Sequence, residues 1–286
     1  MEVILADTAG FCFGVQRAVD TVYKEIENAK TTASHIYTYG PIIHNEQVVE
    51  DLEKKGVKVI NSIDEFDKLE RGTVIIRSHG VSKQIYDIID DKGFNIVDAT
   101  CPFVKKIHKT VYEKSNEGYE IVIIGNDNHP EVEGIKGWCF SKTTVINKEE
   151  DLDDFFKNAG DKICIVSQTT FNYKKFNYLV EIICKKLYDI IVVNTICNAT
   201  NERQLEARKV AKSVDTMIVI GGKSSSNTQK LYEICKEECK NTYYVQTVHD
   251  LQDLKLLPSN KIGITAGAST PKNIIEEVQN YVRIKF

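Results

Sequence analysis

Residues 97–107 read VDATCPFVKKI, a β-branched run followed by a short polar step, a cysteine and a helical pattern that carries lysines. The same arrangement occurs around Cys12 in GFCFGV (residues 10–15) and around Cys197 in VNTICNATNER (residues 193–203). Strand-like and helix-like segments alternate between the cysteines. Because a recurring supersecondary pattern indicates repeated structural units, the sequence predicts three α/β units of similar size.

The boundaries of these units follow from the repeat. We expect units at residues 14–97, 98–192 and 193–286, each a doubly wound parallel sheet with helices. The third unit ends on a helix with no strong strand behind it, whereas the chain opens with a strand, VILAD, that has no unit before it. Residues 1–13 are therefore expected to complete the third sheet, and the three units to have a pseudo-threefold arrangement around a central site.

Composition and charge restrict the class of protein. The 37 basic and 41 acidic residues are interspersed, with a net charge of −4, so the basic stripe of a nucleic-acid binder is absent from the sequence. No signal sequence opens the chain and no apolar run approaches the roughly 20 residues that span a bilayer. We expect a cytoplasmic protein without a nucleic-acid or membrane partner. In that compartment the eight cysteines favour metal, redox or core roles over disulfides.

Polar loops follow further strands of each predicted unit. In open parallel sheets, ligands bind beyond the carboxyl ends of the strands, so residues in these loops are candidates for chemistry. We expect nine such loops, the three with cysteines included, to face one central cavity. Their candidate residues besides the cysteines are His44, His79, His129, Glu131, Gln168, Thr169, Thr170, Ser225, Ser226, Asn227 and Ser269.

The three repeated cysteines suit a metal centre with an open position. Three thiolate ligands leave one coordination position unfilled, as a catalytic site needs. Zinc is one candidate, but none of the three cysteines belongs to a C-x-x-C pair. Ligands so far apart in the chain favour a bulky [4Fe-4S] cluster, which would keep one iron open for substrate. The alternative is that all three are buried core thiols.

The remaining loop residues favour an anion. Hydroxyls, amides, imidazoles and backbone N–H groups at helix N-termini bind phosphate, and their repetition predicts a diphosphate pocket. For any single Ser or Asn, helix capping is the alternative. Glu131 is the best placed acid, because a neighbouring anion would raise its pKa and suit it to donate a proton. Glu133 is expected to be structural or solvated, and His35, His108 and His249 fall outside the repeated loops.

Nine motifs in order along the chain resemble those of the 4-hydroxy-3-methylbut-2-enyl diphosphate reductases, the IspH or LytB family. The motifs are GFCFGVQRAV, GPIIHN, SHGV, DATCPFVKKIHK, HPEVEG, SQTT, ICNATNERQ, SSNT and TAGAST. The resemblance implies reductive dehydroxylation of an allylic hydroxy diphosphate to isopentenyl and dimethylallyl diphosphates, the last step of the non-mevalonate isoprenoid pathway.

The resemblance also implies roles for individual residues. Cys12, Cys101 and Cys197 would hold a [4Fe-4S] cluster at the central site, and Glu131, Thr169 and His129 would be catalytic. The implied diphosphate ligands are His44, His79, His129, Ser225, Ser226, Asn227 and Ser269, with Thr169 beside the substrate hydroxyl. The polar loops lack the Gly-x-Gly-x-x-Gly nicotinamide fingerprint, so electrons should come from a ferredoxin- or flavodoxin-like protein.

Two positions depart from the family pattern, and two other functions stay open. Ala9 stands where a basic residue is common, and Glu202 where a neutral amide is usual. These changes bear on the potential of the cluster and on the surface for the electron donor. The alternative functions are a non-redox iron-sulfur hydro-lyase, which needs no electron donor, and a sensor that binds a phosphorylated metabolite without changing it.

Overall fold

The computed structural model describes residues 2–254 and 259–285. The chain forms two compact units. The terminal unit comprises residues 1–16, 44–50 and 197–286, and the middle unit comprises residues 17–43 and 51–196. One four-stranded sheet belongs to the terminal unit and two belong to the middle unit.

Strands and helices alternate along the described residues. The strands are β1 (Glu2–Leu5), β2 (His35–Tyr39), β3 (Val57–Ile60), β4 (Gly72–Ile76), β5 (Asn95–Asp98), β6 (Glu120–Ile124), β7 (Thr143–Ile146), β8 (Lys162–Ser167), β9 (Asp189–Val192), β10 (Thr216–Ile220), β11 (Thr242–Val245) and β12 (Lys261–Ala266). The helices are α1 (Phe13–Thr32), α2 (Glu46–Lys54), α3 (Lys83–Asp91), α4 (Pro102–Asn116), α5 (Pro130–Lys136), α6 (Leu152–Asn158), α7 (Tyr173–Lys186), α8 (Asn198–Lys212), α9 (Ser226–Glu238), α10 (Val248–Gln252) and α11 (Lys272–Lys285). Short 3₁₀ segments cover Ile63–Lys68 and Glu149–Asp151.

All three sheets are parallel and share one strand order. The middle unit has the orders β3-β2-β4-β5 and β7-β6-β8-β9, and the terminal unit has β11-β10-β12-β1. Strand β1 pairs with β12, with Val3 opposite Ile262, so it occupies the place that β5 and β9 take in the other sheets. The predicted class, three α/β units built on doubly wound parallel sheets, is confirmed. The boundaries at 14–97, 98–192 and 193–286 stay a prediction.

The central strands are mainly apolar because both faces of each sheet are covered. In β6, Val122 and Ile124 pack on one face against α6 and α7, whereas Ile121 and Ile123 pack on the other against α4 and α5. All four side chains are fully buried. Alternating side chains point to opposite faces of a strand, so a continuous apolar run is the expected pattern of a two-sided core.

The strand order places the candidate residues at the ends of particular strands. Each sheet reverses its direction of winding between its two central strands, and this switch point is where open α/β sheets bind ligands. Residues after β6 and β8, two adjacent strands, include Glu131 and Thr169. Residues after β10 and β12, also adjacent, include Asn227 and Ser269. Each of the three repeated cysteines instead follows the fourth strand of a sheet.

Several short helices differ from the expectation. The segment between β6 and β7 was expected to be a loop, but it contains α5. Its seven residues include Gly134, and such a short helix with glycine inside has too little periodicity to be recognised. The sequence does not predict helices α6 and α10 either, because they are similarly short. The sequence predicts a polar loop at Ser226 and Asn227, but these residues form the first turn of α9.

The helices within residues 2–254 and 259–285 include none that is both long and apolar enough to cross a bilayer.

Candidate active site

A buried acid and a threonine form the centre of the candidate site in the middle unit. Glu131 lies in the first turn of α5 and is 2% exposed. The backbone N of Thr169 donates to Glu131 Oε1 at 2.6 Å, and Thr169 Oγ1 donates to Oε2 at 2.7 Å. Because β6 and β8 are adjacent strands, the sheet itself brings the two residues together. Glu133, the matched acid two residues on, is exposed.

Burial changes the protonation of Glu131. Loss of solvent raises the pKa of this carboxyl to about 7, although the two hydrogen bonds from Thr169 act to lower it. Desolvation disfavours the charged form of an acid, and here it outweighs the hydrogen bonds. Near neutral pH the carboxyl is therefore poised between holding and releasing a proton, which is the property required of a general acid.

This pKa predicts a pH-dependent stability. Since the folded-state pKa lies above the ordinary 4.5, the folded chain binds more protons than the unfolded chain between pH 4.5 and about 7. Stability from this group is present below that window and is lost as pH rises through it, by about 3 kcal/mol at most. Melting temperatures of the wild type and the Glu131→Gln variant should therefore diverge in favour of the variant between pH 5 and pH 8. Glu133→Gln should follow the wild type, and parallel curves for Glu131→Gln would contradict the shift.

His129 begins the helix that carries the acid. It is the N-cap of α5, and its Nδ1 accepts a hydrogen bond from the backbone N of Glu131 at 3.1 Å, while Pro130 fills the first helical position. An accepting Nδ1 carries no proton, so the neutral ring has its proton on Nε2. The ring of His79 lies edge-on to it, with the ring centroids 5.5 Å apart. Acid, threonine and two imidazoles thus lie together in the middle unit.

The loop that carries His79 is joined to the Cys101 segment. The backbone N of Cys101 donates to the Ser78 carbonyl at 3.0 Å. Gly80 has a φ of +71°, and a Cβ there would lie 2.6 Å from the ring of His108. The buried His108 ring stacks on Trp138, with centroids 5.3 Å apart. His108, which seemed unrelated to the loops, therefore packs directly beneath one of them.

Two of the cysteines occupy equivalent positions at helix starts. Cys101 is the N-cap of α4 with φ −56° and ψ 133°, and Cys197 is the N-cap of α8 with φ −66° and ψ 136°. Cys12 immediately precedes α1, and its backbone N donates to the Ala268 carbonyl at 3.2 Å. All three are partly exposed, so the alternative of three fully buried core thiols is wrong. The thiolate is the form of cysteine that binds metal.

Hydroxyl and amide groups form a second cluster in the terminal unit. Ser269 Oγ donates to the His44 carbonyl at 3.0 Å and lies 3.3 Å from Ser225 Oγ. Ser225 is the N-cap of α9 and accepts from the backbone N of Thr228. The expected capping role is thus present at Ser225. Ser226, the first residue of α9, is partly buried.

Asn227 contributes an unused donor to this cluster. Its Oδ1 accepts from the backbone N of Ala268 at 2.9 Å, whereas its buried Nδ2 has no hydrogen-bond partner among the described residues. Buried polar groups are normally paired, and one that is not calls for a ligand or water. The backbone is also close here, since a Cβ at Gly222 would lie 2.8 Å from the His44 carbonyl. A donor-rich pocket at the start of a helix suits an anion.

Sequence reasoning missed the charged side chains that support the cysteine segments. Arg17 donates to the carbonyls of Asp98 and Thr100, just before Cys101. Arg203 is 4% exposed, on the buried stripe of α8. The position of Arg203 could have been noticed in the sequence, because it lies on the same helical face as the apolar residues of α8, where an unpaired charge would be costly. Those residues are Ala207, Val210 and Ala211. Of the two departures, Glu202 is exposed, and Ala9 is partly buried and packs against the core of the terminal unit.

The names of known proteins that are similar to this chain agree with one another. A family model described as LytB protein matches residues 3–283. The 4-hydroxy-3-methylbut-2-enyl diphosphate reductase of Caldanaerobacter subterraneus subsp. tengcongensis is 49% identical over 281 residues, which is 97% of this chain and 95% of that protein. The reductase of the same name from Clostridioides difficile is 46% identical over 282 residues, 99% of each chain.

Solved structures are similar over nearly the whole length. The E-1-hydroxy-2-methyl-but-2-enyl-4-diphosphate reductase of Plasmodium falciparum has a TM-score of 0.90 and 34% identity, covering 99% of this chain and 87% of that one. A (E)-4-hydroxy-3-methyl-but-2-enyl diphosphate reductase, described as the terminal enzyme of the non-mevalonate pathway, has a TM-score of 0.70 and 42% identity, covering 99% and 100%.

Proposed function

Because the chain belongs to the LytB protein family, we propose that it reduces 4-hydroxy-3-methylbut-2-enyl diphosphate to isopentenyl and dimethylallyl diphosphates, the terminal step of the non-mevalonate pathway. The observation that carries the proposal is the buried Glu131 carboxyl, hydrogen-bonded twice by Thr169 and titrating near neutrality. Loss of a hydroxyl as water requires a proton donor, and this pair is the best placed source in the described chain.

The proposed cofactor is a [4Fe-4S] cluster held by Cys12, Cys101 and Cys197. The donor set fits, since three thiols at the ends of fourth strands, two of them at helix N-caps, are soft ligands that favour iron-sulfur chemistry. Three thiolates for four irons leave one iron available to substrate. When bound, the cluster supplies electrons one at a time and a Lewis-acidic iron for the substrate hydroxyl.

The substrate diphosphate would be bound by imidazole, hydroxyl and amide donors. The proposed ligands are His44, His79, His129, Ser225, Ser226, Asn227 and Ser269. Support comes from Asn227, whose buried Nδ2 has no partner within residues 2–254 and 259–285 and which lies in the first turn of α9. In this proposal His129 would bind the diphosphate through Nε2, because its Nδ1 accepts from the backbone N of Glu131.

Residues of the protein would supply protons to the reaction. The reaction consumes two electrons and two protons, cleaves the C–O bond, releases one water and forms one new C–H bond on the allyl fragment. Thr169 Oγ1 lies 2.7 Å from Glu131 Oε2. When the carboxyl is protonated, its O–H would donate to Oγ1, which would pass its own proton to the departing hydroxyl and leave Glu131 as the carboxylate. Burial of Glu131 excludes water, which would otherwise exchange its proton.

The electrons would come from a ferredoxin- or flavodoxin-like protein, in the cytoplasm. The polar loops GNDNHPEVEG and GGKSSSNTQ lack the glycine spacing that binds a nicotinamide dinucleotide. A small one-electron carrier suits a cluster that accepts electrons singly.

Asn227→Asp is expected to weaken diphosphate binding. The Asp side chain keeps the oxygen that accepts from Ala268 N, but replaces the Nδ2 donor with a negatively charged oxygen. Loss of a hydrogen bond to a charged ligand, worth about 1.5–3 kcal/mol, should raise KM about 10- to 100-fold. Steady-state kinetics measure it, with the exposed Ser224→Ala in the same segment as the control. An unchanged KM would remove Asn227 from the diphosphate site.

The proposed reaction is tested anaerobically with reduced viologen dye. Protein that holds about four irons per chain, as the cluster requires, is mixed with dye, and absorbance is followed on addition of 4-hydroxy-3-methylbut-2-enyl diphosphate. Substrate-dependent oxidation of the dye is the expected result. Conversion of the substrate without dye oxidation would instead indicate a hydro-lyase, and binding without conversion would indicate a sensor.

A further inference from the structure

Helix α8 links the segments that carry two of the repeated cysteines. Cys197 is its N-cap, and Arg203 and Glu206 lie one to three turns further along it. Both side chains contact residues 7–10, the loop between β1 and α1 that leads into Cys12. One helix therefore carries one cysteine and contacts the loop before another.

The two side chains bind both N–H groups and carbonyl groups of the loop backbone. The carboxylate of Glu206 accepts from the backbone N of Asp7 at 2.8 Å and of Thr8 at 2.9 Å, and also from the Thr8 hydroxyl. The guanidinium of Arg203 donates from Nε to the Thr8 carbonyl at 2.9 Å and from Nη2 to the Gly10 carbonyl at 2.9 Å. Planar donors in a fixed fork give such contacts directional precision.

The loop backbone has further contacts at Gly10 and Cys12 besides those with α8. Gly10 has a φ of +106°, a conformation that side-chain-bearing residues rarely adopt, and a Cβ there would lie 3.2 Å from Ile275 Cδ1. The backbone N of Cys12 is itself bonded to Ala268. The path of the chain into Cys12 is thus set by α8 on one side and by the segment before α11 on the other.

The guanidinium is also a buried positive charge, bonded to the loop that leads into Cys12 and carried by the helix that begins at Cys197. Arg203 is 4% exposed, and it interacts electrostatically with Cys12, Glu206 and Cys197. Arginine keeps its charge in proteins, so burial does not neutralise it. A fixed positive charge favours any added negative charge nearby, more strongly where water is excluded.

We propose that, given the cluster inferred above, Arg203 is a positioning residue that fixes Cys12 relative to Cys197 and raises the reduction potential of the cluster through its permanent charge. A reduced cluster carries one more negative charge than an oxidised one, so a nearby cation stabilises the reduced form. The fork of hydrogen bonds accounts for the positioning, and the charge accounts for the potential. The two effects are separable by substitution.

The test compares Arg203→Met, Arg203→Lys and Arg208→Met, each reconstituted anaerobically and measured without substrate. Arg208 is the matched control, since it lies on the same helix but pairs with Glu237 and Glu238 instead. Midpoint potentials come from redox titration followed by electron paramagnetic resonance. The rate of iron release to a chelator reports how firmly the cluster is held.

Arg203→Met should shift the equilibrium between oxidised and reduced cluster roughly tenfold toward the oxidised form, about 59 mV for one electron. Arg203→Lys keeps the charge but not the fork, so its potential should stay near the wild type while iron is released several-fold faster. Arg208→Met should match the wild type in both. A wild-type potential in Arg203→Met, or an equal shift in the Met and Lys variants, would overturn the role of the charge.

Wild-type iron release in Arg203→Lys would overturn the positioning role, and this variant decides the matter if Arg203→Met fails to fold. The measurements need no turnover, so their outcome does not depend on the proposed reaction. A wild-type chain that binds no redox-active cluster would refute the proposed cofactor. A wild-type chain with a cluster but no substrate reduction would leave Arg203 testable and refute only the reaction.

Discussion

Replacing Glu131 by Gln lowers kcat by at least about 100-fold while the chain keeps its fold and its iron. General acids contribute roughly 10²- to 10⁴-fold to rate, and the amide cannot give up a proton. Gln is nearly the same size as Glu, and its oxygen still accepts from the Thr169 backbone N, which donates to Glu131 Oε1 at 2.6 Å. The measurement is single-turnover reduction of 4-hydroxy-3-methylbut-2-enyl diphosphate with a reduced dye.

The matched control for this result is Glu133→Gln. Glu133 is an exposed acid on the same short helix, and its loss should leave kcat within about twofold of the wild type, because an exposed surface residue contributes little. Iron content, measured for both variants, shows that any loss is chemical. Full activity in Glu131→Gln would remove this carboxyl from the proton path.

Replacing Cys101 or Cys197 by Ala removes the cluster and with it the activity. Thiolates are the ligands of such clusters, and a methyl group offers no donor. Iron should fall from about four per chain to well below one, and substrate reduction to less than about 1% of the wild type. Iron analysis and visible absorbance of anaerobically reconstituted protein measure the first effect, and the dye assay measures the second.

The control for the cysteine variants is Cys184→Ala. Cys184 is exposed on α7 and is not among the repeated cysteines, so its loss should leave iron and activity unchanged. A Cys197→Ala chain that still held four irons and turned over substrate would contradict the assigned ligand set.

Much of the fold was predictable because it depends on local patterns. Continuous apolar runs such as residues 121–124 indicate strands buried on both faces, and the alternation of strands with helices indicates parallel sheets. The helix α5 was not predictable, since seven residues around Gly134 carry no helical period. The helix begins at a local contact, in which the backbone N of Glu131 donates to His129 Nδ1. The periodicity of apolar residues gives no indication of such a contact.

The placement of the candidate residues after strand ends was predictable for a different reason. Glu131 and Thr169 follow adjacent strands of one sheet, and Asn227 follows a strand of another, so each lies beyond the carboxyl edge of its own sheet. The hydrogen-bond partners of Arg203 were not predictable. Arg203 donates to the carbonyls of Thr8 and Gly10, which lie 195 and 193 residues away along the chain, so its partners depend on tertiary packing.

The most direct test of the central claim is product analysis by mass spectrometry after anaerobic turnover in deuterated water, with the electrons consumed counted in the same sample. Reductive dehydroxylation predicts isopentenyl and dimethylallyl diphosphates, each with one deuterium bound to carbon, and two electrons consumed for every product formed. Unreacted 4-hydroxy-3-methylbut-2-enyl diphosphate, or a product formed without electron consumption, would contradict it.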